Sequence, residues 1–405
     1  MKKANALLLS LLCVLVWASM GLCAPLNLQA LVDAAAAGDT LDLSTGRYGS
    51  ARIDKALTIR GQGIETIVDG GGSGHTLALM AAAISVENLR VTNSGTDVSG
   101  KHSGIWVDRK ADGVRIVGVQ IDQCGFGIWV DAADDPHIAD CRVEGRDDAA
   151  IVSDLGNGIH LFNVKNGAVL DNYIEKGRDG VYISNSTGCL IARNRIHRTR
   201  FAIHYMYSHH NRVVGNYTDS SSVGIALMYS KGIQVLENQV RASHTHGILL
   251  RNLYNSRIEA NDTQNSKDGF FFSGCSFDTL RGNLVAANEI GIQVSDTPDN
   301  LVTGNAFVDN REQLNYQNNA SLVWSGNYWS DYVGWDRNGD GVGDKRHYPS
   351  DIAAYLVGRF PAVRLVLHSP AMLLLQGLEA QFPVMRPPGI LEERPLMANP
   401  IAMRR

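Results

Sequence analysis

Residues 202–251 read AIHYMYSHHNRVVGNYTDSSSVGIALMYSKGIQVLENQVRASHTHGILLR and state one short phrase three times: AIHYM from 202, GIALM from 224 and GILLR from 247. Working outward, the phrase returns as GIWVD at 104 and 127, GIHLF at 158, GVYIS at 180, GFFFS at 269 and GIQVS at 291. Successive starts lie 23, 31, 22, 22, 22, 23, 22 and 22 residues apart. Self-similarity at a fixed period of about 20–50 residues marks a solenoid, in which no unit buries its apolar face alone and stacking closes the core. A second register runs in step: Asn172, Asn194, Asn216, Asn238, Asn261, Asn283, Asn305 and Asn327. Asparagine suits tight turns, and stacked amides bond coil to coil, so this series predicts a structural ladder. The step of 31 leaves an insertion of about nine residues between Val143 and Asn157, expected to leave the solenoid as a loop.

A leucine-rich repeat has a similar period but needs a Leu-rich frame and a helical return. Here each unit carries two alternating apolar stretches, such as GIALM and IQVLENQV, and no helical stretch between them. The fold class predicted is all-β: a right-handed parallel β-helix of about 22-residue coils over 57–330, starting near Leu57 and ending near Asn327. The 405 residues are 44% hydrophobic and 19% charged, which excludes disorder. With 37 basic against 41 acidic residues the net charge is −4, and no basic surplus points to nucleic acid.

The ends depart from the repeat. Lys2 and Lys3 precede the apolar run Ala6 to Leu22, with Gly21 and Cys23 as small residues at a cleavage site, so 1–23 reads as a cleaved signal peptide. An uncleaved anchor is the alternative, but the run lacks a basic stop-transfer flank. Residues 24–56 read as an N-terminal cap, with a short amphipathic helix from Leu26 to Ala37. Residues 352–405 read as a helical docking tail, apolar but interrupted by Pro361, Pro370 and Pro383, and not a membrane span. Once the signal is removed, Cys124, Cys141, Cys189 and Cys275 remain, widely spaced, and are expected as buried thiols.

If the second and fourth residues of each GIxV phrase point inward, the third and fifth point outward. Met206 and Met228 then become neighbours on adjacent coils, with His204 on the same face and His209 and His210 at the following turn. Thioether sulfur is a soft donor suited to Cu(I), and imidazole is acceptable beside it; the competing reading is an adaptable apolar patch for a partner. Trp106 over Trp129, beside Asp108 and Asp131, instead suits a polysaccharide-active surface. Asp135-Pro136-His137 resembles a motif of alginate epimerases, although an ordinary turn explains it equally, and His244 with His246 has metal-ligand spacing. Within 331–351, Asp336, Asn338, Asp340, the Val342 carbonyl and Asp344 follow the spacing of a calcium loop, but His347 stands where a bidentate Glu belongs. A metal-free turn rich in side-chain caps is the alternative.

Four segments, HYMYSHHN (204–211), ALMYS (226–230), GNYWSDYVGWDRNGDGVGDKRHYPSD (326–351) and HSPAMLLLQGLEAQFPVMRPPG (368–389), resemble the NosD family, and the likeness extends over nearly the whole mature chain. The resemblance implies a periplasmic, non-enzymatic β-helix protein needed for maturation of nitrous oxide reductase. It further implies copper delivery together with an ABC-type permease, its ATPase and a copper chaperone, with membrane contact only through the permease. Under it, Met206, Met228 and His204 become copper candidates and Val357 to Pro388 the segment that docks on the permease.

Overall fold

The computed structural model describes residues 25–148, 151–317, 322–349, 352–353, 356, 360–366, 369–382 and 389–401. The signal segment 1–23, His368, and Pro383 to Pro388 of the tail motif lie outside the described residues.

Each coil contributes one short strand to each of three walls, and every strand pairs in parallel with its counterparts in the coils before and after. The first wall has 12 strands, from Thr40–Asp42 to Leu301–Thr303. The second has 13, from Gly46–Gly49 to Tyr328–Trp329, and the third has 12, from Ala51–Ile53 to Glu312–Tyr316. The third wall carries the recurring phrase. Its second and fourth residues face inward as the alternation requires: Ile105, Val107, Ile203, Tyr205, Ile225, Leu227, Ile248 and Leu250 are all fully buried. These side chains stack coil on coil into one continuous core along the axis.

The asparagine series is a ladder. Each Nδ2 donates to the Oδ1 of the next asparagine at 2.9 Å, from Asn172 through to Asn327. Most members also donate to a backbone carbonyl of the coil before, as Asn238 does to Val213 O. The residue preceding the ladder position has positive φ: Gly215, Gly282, Gly304 and Gly326 adopt it without a Cβ penalty, whereas Arg193 and Glu237 tolerate it in the same column.

The stack starts one coil earlier than Leu57. Thr40–Asp42, Gly46–Gly49 and Ala51–Ile53 already form a turn, and α1 (Leu28–Ala34), capped by Asn27, covers the open end with Leu28 and Val32. The downstream end also differs from a purely helical tail. A 3₁₀ segment, Pro361–Val366, and α2 (Pro370–Gln381) are followed by a strand, Ile390–Glu392, that pairs in parallel with Leu322–Trp324. A sheet edge left open would template association, and the returning strand covers it. Glu392 ends the ladder: its carboxylate accepts from Asn327 Nδ2 at 2.8 Å and from Gly326 N at 2.7 Å. All four described cysteines are free and buried, and desolvation pushes their thiols up to about 11 or 12.

Candidate functional site

Parallel pairing of Phe201–Met206 with Val223–Lys231 puts Met206 directly opposite Met228 and His204 opposite Ala226. Adjacent strands lie about 4.8 Å apart, and residues two apart on a strand share a face, so two thioethers and one imidazole meet on the outside of the third wall. Both methionines are half-buried, and Met228 packs on a small outer cluster of Val223, Ala226 and Leu249.

His204 is held from both sides. Its Nδ1 bonds Asp179 Oδ2 at 2.9 Å, while Arg200 binds the same carboxylate with Nε at 2.8 Å and Nη2 at 2.7 Å. Burial alone would raise the Asp179 carboxyl, but the hydrogen bonds and charges of His204 and Arg200 outweigh it and hold it below the usual range. Tyr182 stacks on the imidazole at 4.5 Å and Phe201 meets it edge-on at 4.7 Å. The other ring nitrogen, Nε2, is buried without a partner. A carboxylate on one imidazole nitrogen fixes the tautomer and leaves the other nitrogen as the donor, as around metal-bound histidines.

His209 and His210 lie past the corner at Tyr207, whose φ is 51°, so the chain has turned off the methionine face before it reaches them. His209 Nδ1 already accepts from Lys231 N at 3.2 Å. His246 forms a second bracket with Asp268 at 2.7 Å, two coils beyond His204. His137 sits on the first wall between Arg115 and Ala168, away from any of these groups.

The calcium reading gains no support from the geometry of the turn. Asp336 accepts from Gly339 N and Gly341 N at 2.7 and 2.8 Å, Asp340 from Val342 N at 2.8 Å, and Asp344 from Arg337 N at 2.8 Å. These side chains close the turn on their own backbone, and among the described residues no group of three or more His, Cys, Asp or Glu is gathered for a metal.

The polysaccharide surface needs an open aromatic face, and the tryptophans offer none. Trp106 and Trp129 are stacked at 6.1 Å, His75 stacks on Trp106 at 4.8 Å, and His160 lies 3.9 Å from Trp129. Through Tyr182 the series reaches His204, making a continuous strip of rings along the wall. Trp129 is 7% exposed. Burial pushes His75 down to about 4 and His160 down to about 3, so both imidazoles are neutral at pH 7. Sequence reasoning named most of the outward residues but missed the strip and the Asp179–Arg200 bracket. Asp179 stands just before its phrase and one coil from the histidine it holds, a pairing that the alternation of inward and outward residues does not give.

The family model described as periplasmic copper-binding protein (NosD) matches residues 145–334. A protein of Pseudomonas aeruginosa named probable ABC transporter binding protein NosD is 37% identical over 381 residues, covering 89% of this chain and 88% of that one. One of the same name from Stutzerimonas stutzeri is 31% identical over 380 residues, covering 88% and 86%. Among solved structures, a PL6 alginate lyase in complex with a trisaccharide shares 14% identity at a TM-score of 0.59, over 78% of this chain and 86% of the lyase. A mannuronic acid specific family 6 lyase from human gut microbiota reaches 0.52 at 12%, over 76% and 86%. Likeness at that identity extends to the fold alone.

Proposed function

This chain belongs to the NosD family, and on that premise we propose that it is a periplasmic copper-handling protein, not an enzyme, which binds Cu(I) through Met206, Met228 and His204 Nε2. The observation that carries this reading is the register: Met206 lies opposite Met228, two residues along from His204, whose ring is held by Asp179 and whose Nε2 is buried without a partner. Two thioethers and one imidazole suit Cu(I) and disfavour hard cations. His209 and His210 are secondary candidates that would join only through movement of the turn after Tyr207.

In this reading the metal is cargo, received from a copper chaperone and passed on for assembly of the copper centre of nitrous oxide reductase. An ABC-type permease and its ATPase provide the platform. The tail is the proposed dock: Leu373 and Leu374 of α2 are exposed, as are Phe360, Leu365 and Phe382. Exposed apolar residues in such density mark an interaction surface. No helix among the described residues is long and apolar enough to cross a membrane. The names of the relatives support association with an ABC transporter.

The test is competition between the purified mature protein and a Cu(I) chelator of known affinity. Met206→Ala with Met228→Ala is expected to weaken Cu(I) binding roughly 100-fold or more, about 3 kcal/mol, while leaving the thermal transition nearly in place. Unchanged Cu(I) affinity in that double variant would falsify the ligand set.

A further inference from the structure

The strip of rings holds more unsatisfied polarity than the copper reading uses. In the three coils before Met206, Trp129 Nε1, Asn157 Oδ1 and Arg178 Nε are each buried without a hydrogen-bond partner. Native interiors leave few such atoms unpaired, and a cluster of them needs an explanation. These three lie around one residue, His160. Trp129 is its register partner in the preceding coil, Asn157 Nδ2 donates to its Nδ1 at 3.2 Å, and Arg178 is joined through its backbone to Gly156, beside Asn157.

The surrounding charge is one-sided. Lys101, reaching from the loop between the second and third walls, puts its ammonium 4.9 Å from the Trp129 ring centre, 5.6 Å from Trp106 and 5.8 Å from Phe162. Neither Lys101 nor Arg178 makes an ion pair among the described residues, and both positive charges disfavour protonation of His160, after burial. The neighbouring acid, Asp179, is already paired with Arg200 and hydrogen-bonded to His204.

We propose that the side chains of Lys101, Trp129, Asn157 and Arg178 around His160 bind a hydroxylated carboxylate. A carboxylate suits the two unpaired cations and the indole N–H, which are donors only. The amide oxygen of Asn157 is an acceptor and selects a hydroxyl. Because the ring faces are already covered by one another, the ligand is held by ring edges and their N–H groups and not by stacking on a platform. Lys101 is the movable cover: its four-carbon stem lets the ammonium swing off Trp129 to meet the anion, exposing Nε1 in the same motion. The site is independent of the methionine pair.

Calorimetric titration of the mature chain with D-glucuronate, D-glucose and acetate tests it. Glucuronate is expected to bind roughly tenfold or more tighter than either of the others, and Arg178→Gln and Lys101→Gln are each expected to weaken it roughly fivefold or more, with melting unchanged. Met206→Ala with Met228→Ala should leave glucuronate affinity alone, which separates this site from the copper reading. Absence of glucuronate binding at millimolar concentration, or binding indifferent to both charge variants, overturns the site. Acetate binding as tightly as glucuronate overturns the hydroxyl requirement.

Discussion

Two series of side chains run parallel to the axis of the solenoid, the asparagine ladder from Asn172 to Asn327 and the strip of rings from His75 to His204. They share a period and a geometry, yet they differ in what is left over. In the ladder every amide has its partners, and even the last one is closed by Glu392. Along the strip, His75 Nδ1, Trp129 Nε1 and His204 Nε2 have none. Buried polar groups cost free energy unless paired, so a satisfied series holds the stack together and an unsatisfied one is where the protein meets something else.

The strongest way to break this comparison is through the ladder itself. Asn238→Ala removes an acceptor for Asn216 N and Nδ2 and a donor to Val213 O and Asn261, leaving several buried groups unpaired. The expected loss is about 3–5 kcal/mol, read by chemical denaturation, with unfolding starting in the central coils because repeats are coupled mainly to their neighbours. A loss below about 1 kcal/mol would mean that the ladder is ornamental to stability.

Asp179→Asn tests the strip at its copper end. It is expected to weaken Cu(I) binding roughly 10–100-fold by releasing His204 from its tautomer and orientation, while both methionines stay in place. The charged Arg200 loses its partner too, so Asp179→Asn with Arg200→Gln is the companion variant, and a restored fold with copper affinity still low separates orientation from simple destabilisation. Because Asp179 is held below its ordinary range, its contribution to stability is complete above the unfolded carboxylate value and is lost only as pH falls through the lower folded one.

A smaller effect sharpens the contrast inside a second column of turn residues. Ser256 N donates to Asp278 Oδ1 at 2.7 Å, and Asp278 N donates in turn to Asn300, but Asp278 Oδ2 is buried and unpaired. Burial raises this carboxyl to about 7. Its contribution is therefore fully present below the unfolded value and is lost as pH rises through about 7. Asp278→Asn keeps the acceptor and supplies a donor like that of Asn300, whose Nδ2 reaches Cys275 O at 2.9 Å. At pH 8 it should stabilise the chain by roughly 2 kcal/mol in thermal melts and flatten the decline with pH. A destabilised variant would show that this column does not follow the ladder's rule.

Much of this was legible before any coordinate. A period of 22 fixes which residues become neighbours, so the inward set, the asparagine ladder and the opposition of Met206 to Met228 follow from counting. The insertion after Val143 was legible for the same reason. The bracket on His204 was not: Asp179 and His204 are 25 residues apart, one coil plus three positions, and only the bend of the chain at the start of the third wall brings the carboxylate back over the imidazole. The corner that removes His209 and His210 from the methionine face was equally hidden, because a positive φ at Tyr207 has no signature in a tyrosine.

The amino-acid sequence by itself determined the repeat, the faces and the family, because a translational period leaves a stacked chain little freedom in which side chain lies above which. Only the tertiary structure decided which polar atoms stay unpaired, that the aromatic faces cover one another, and that the end of the tail returns as a strand over the open edge. Those outcomes depend on the direction of individual side chains and on contacts across 60 or more residues, such as Glu392 with Gly326. Hydrogen bonds are directional and local in space, so no periodicity in the sequence encodes them.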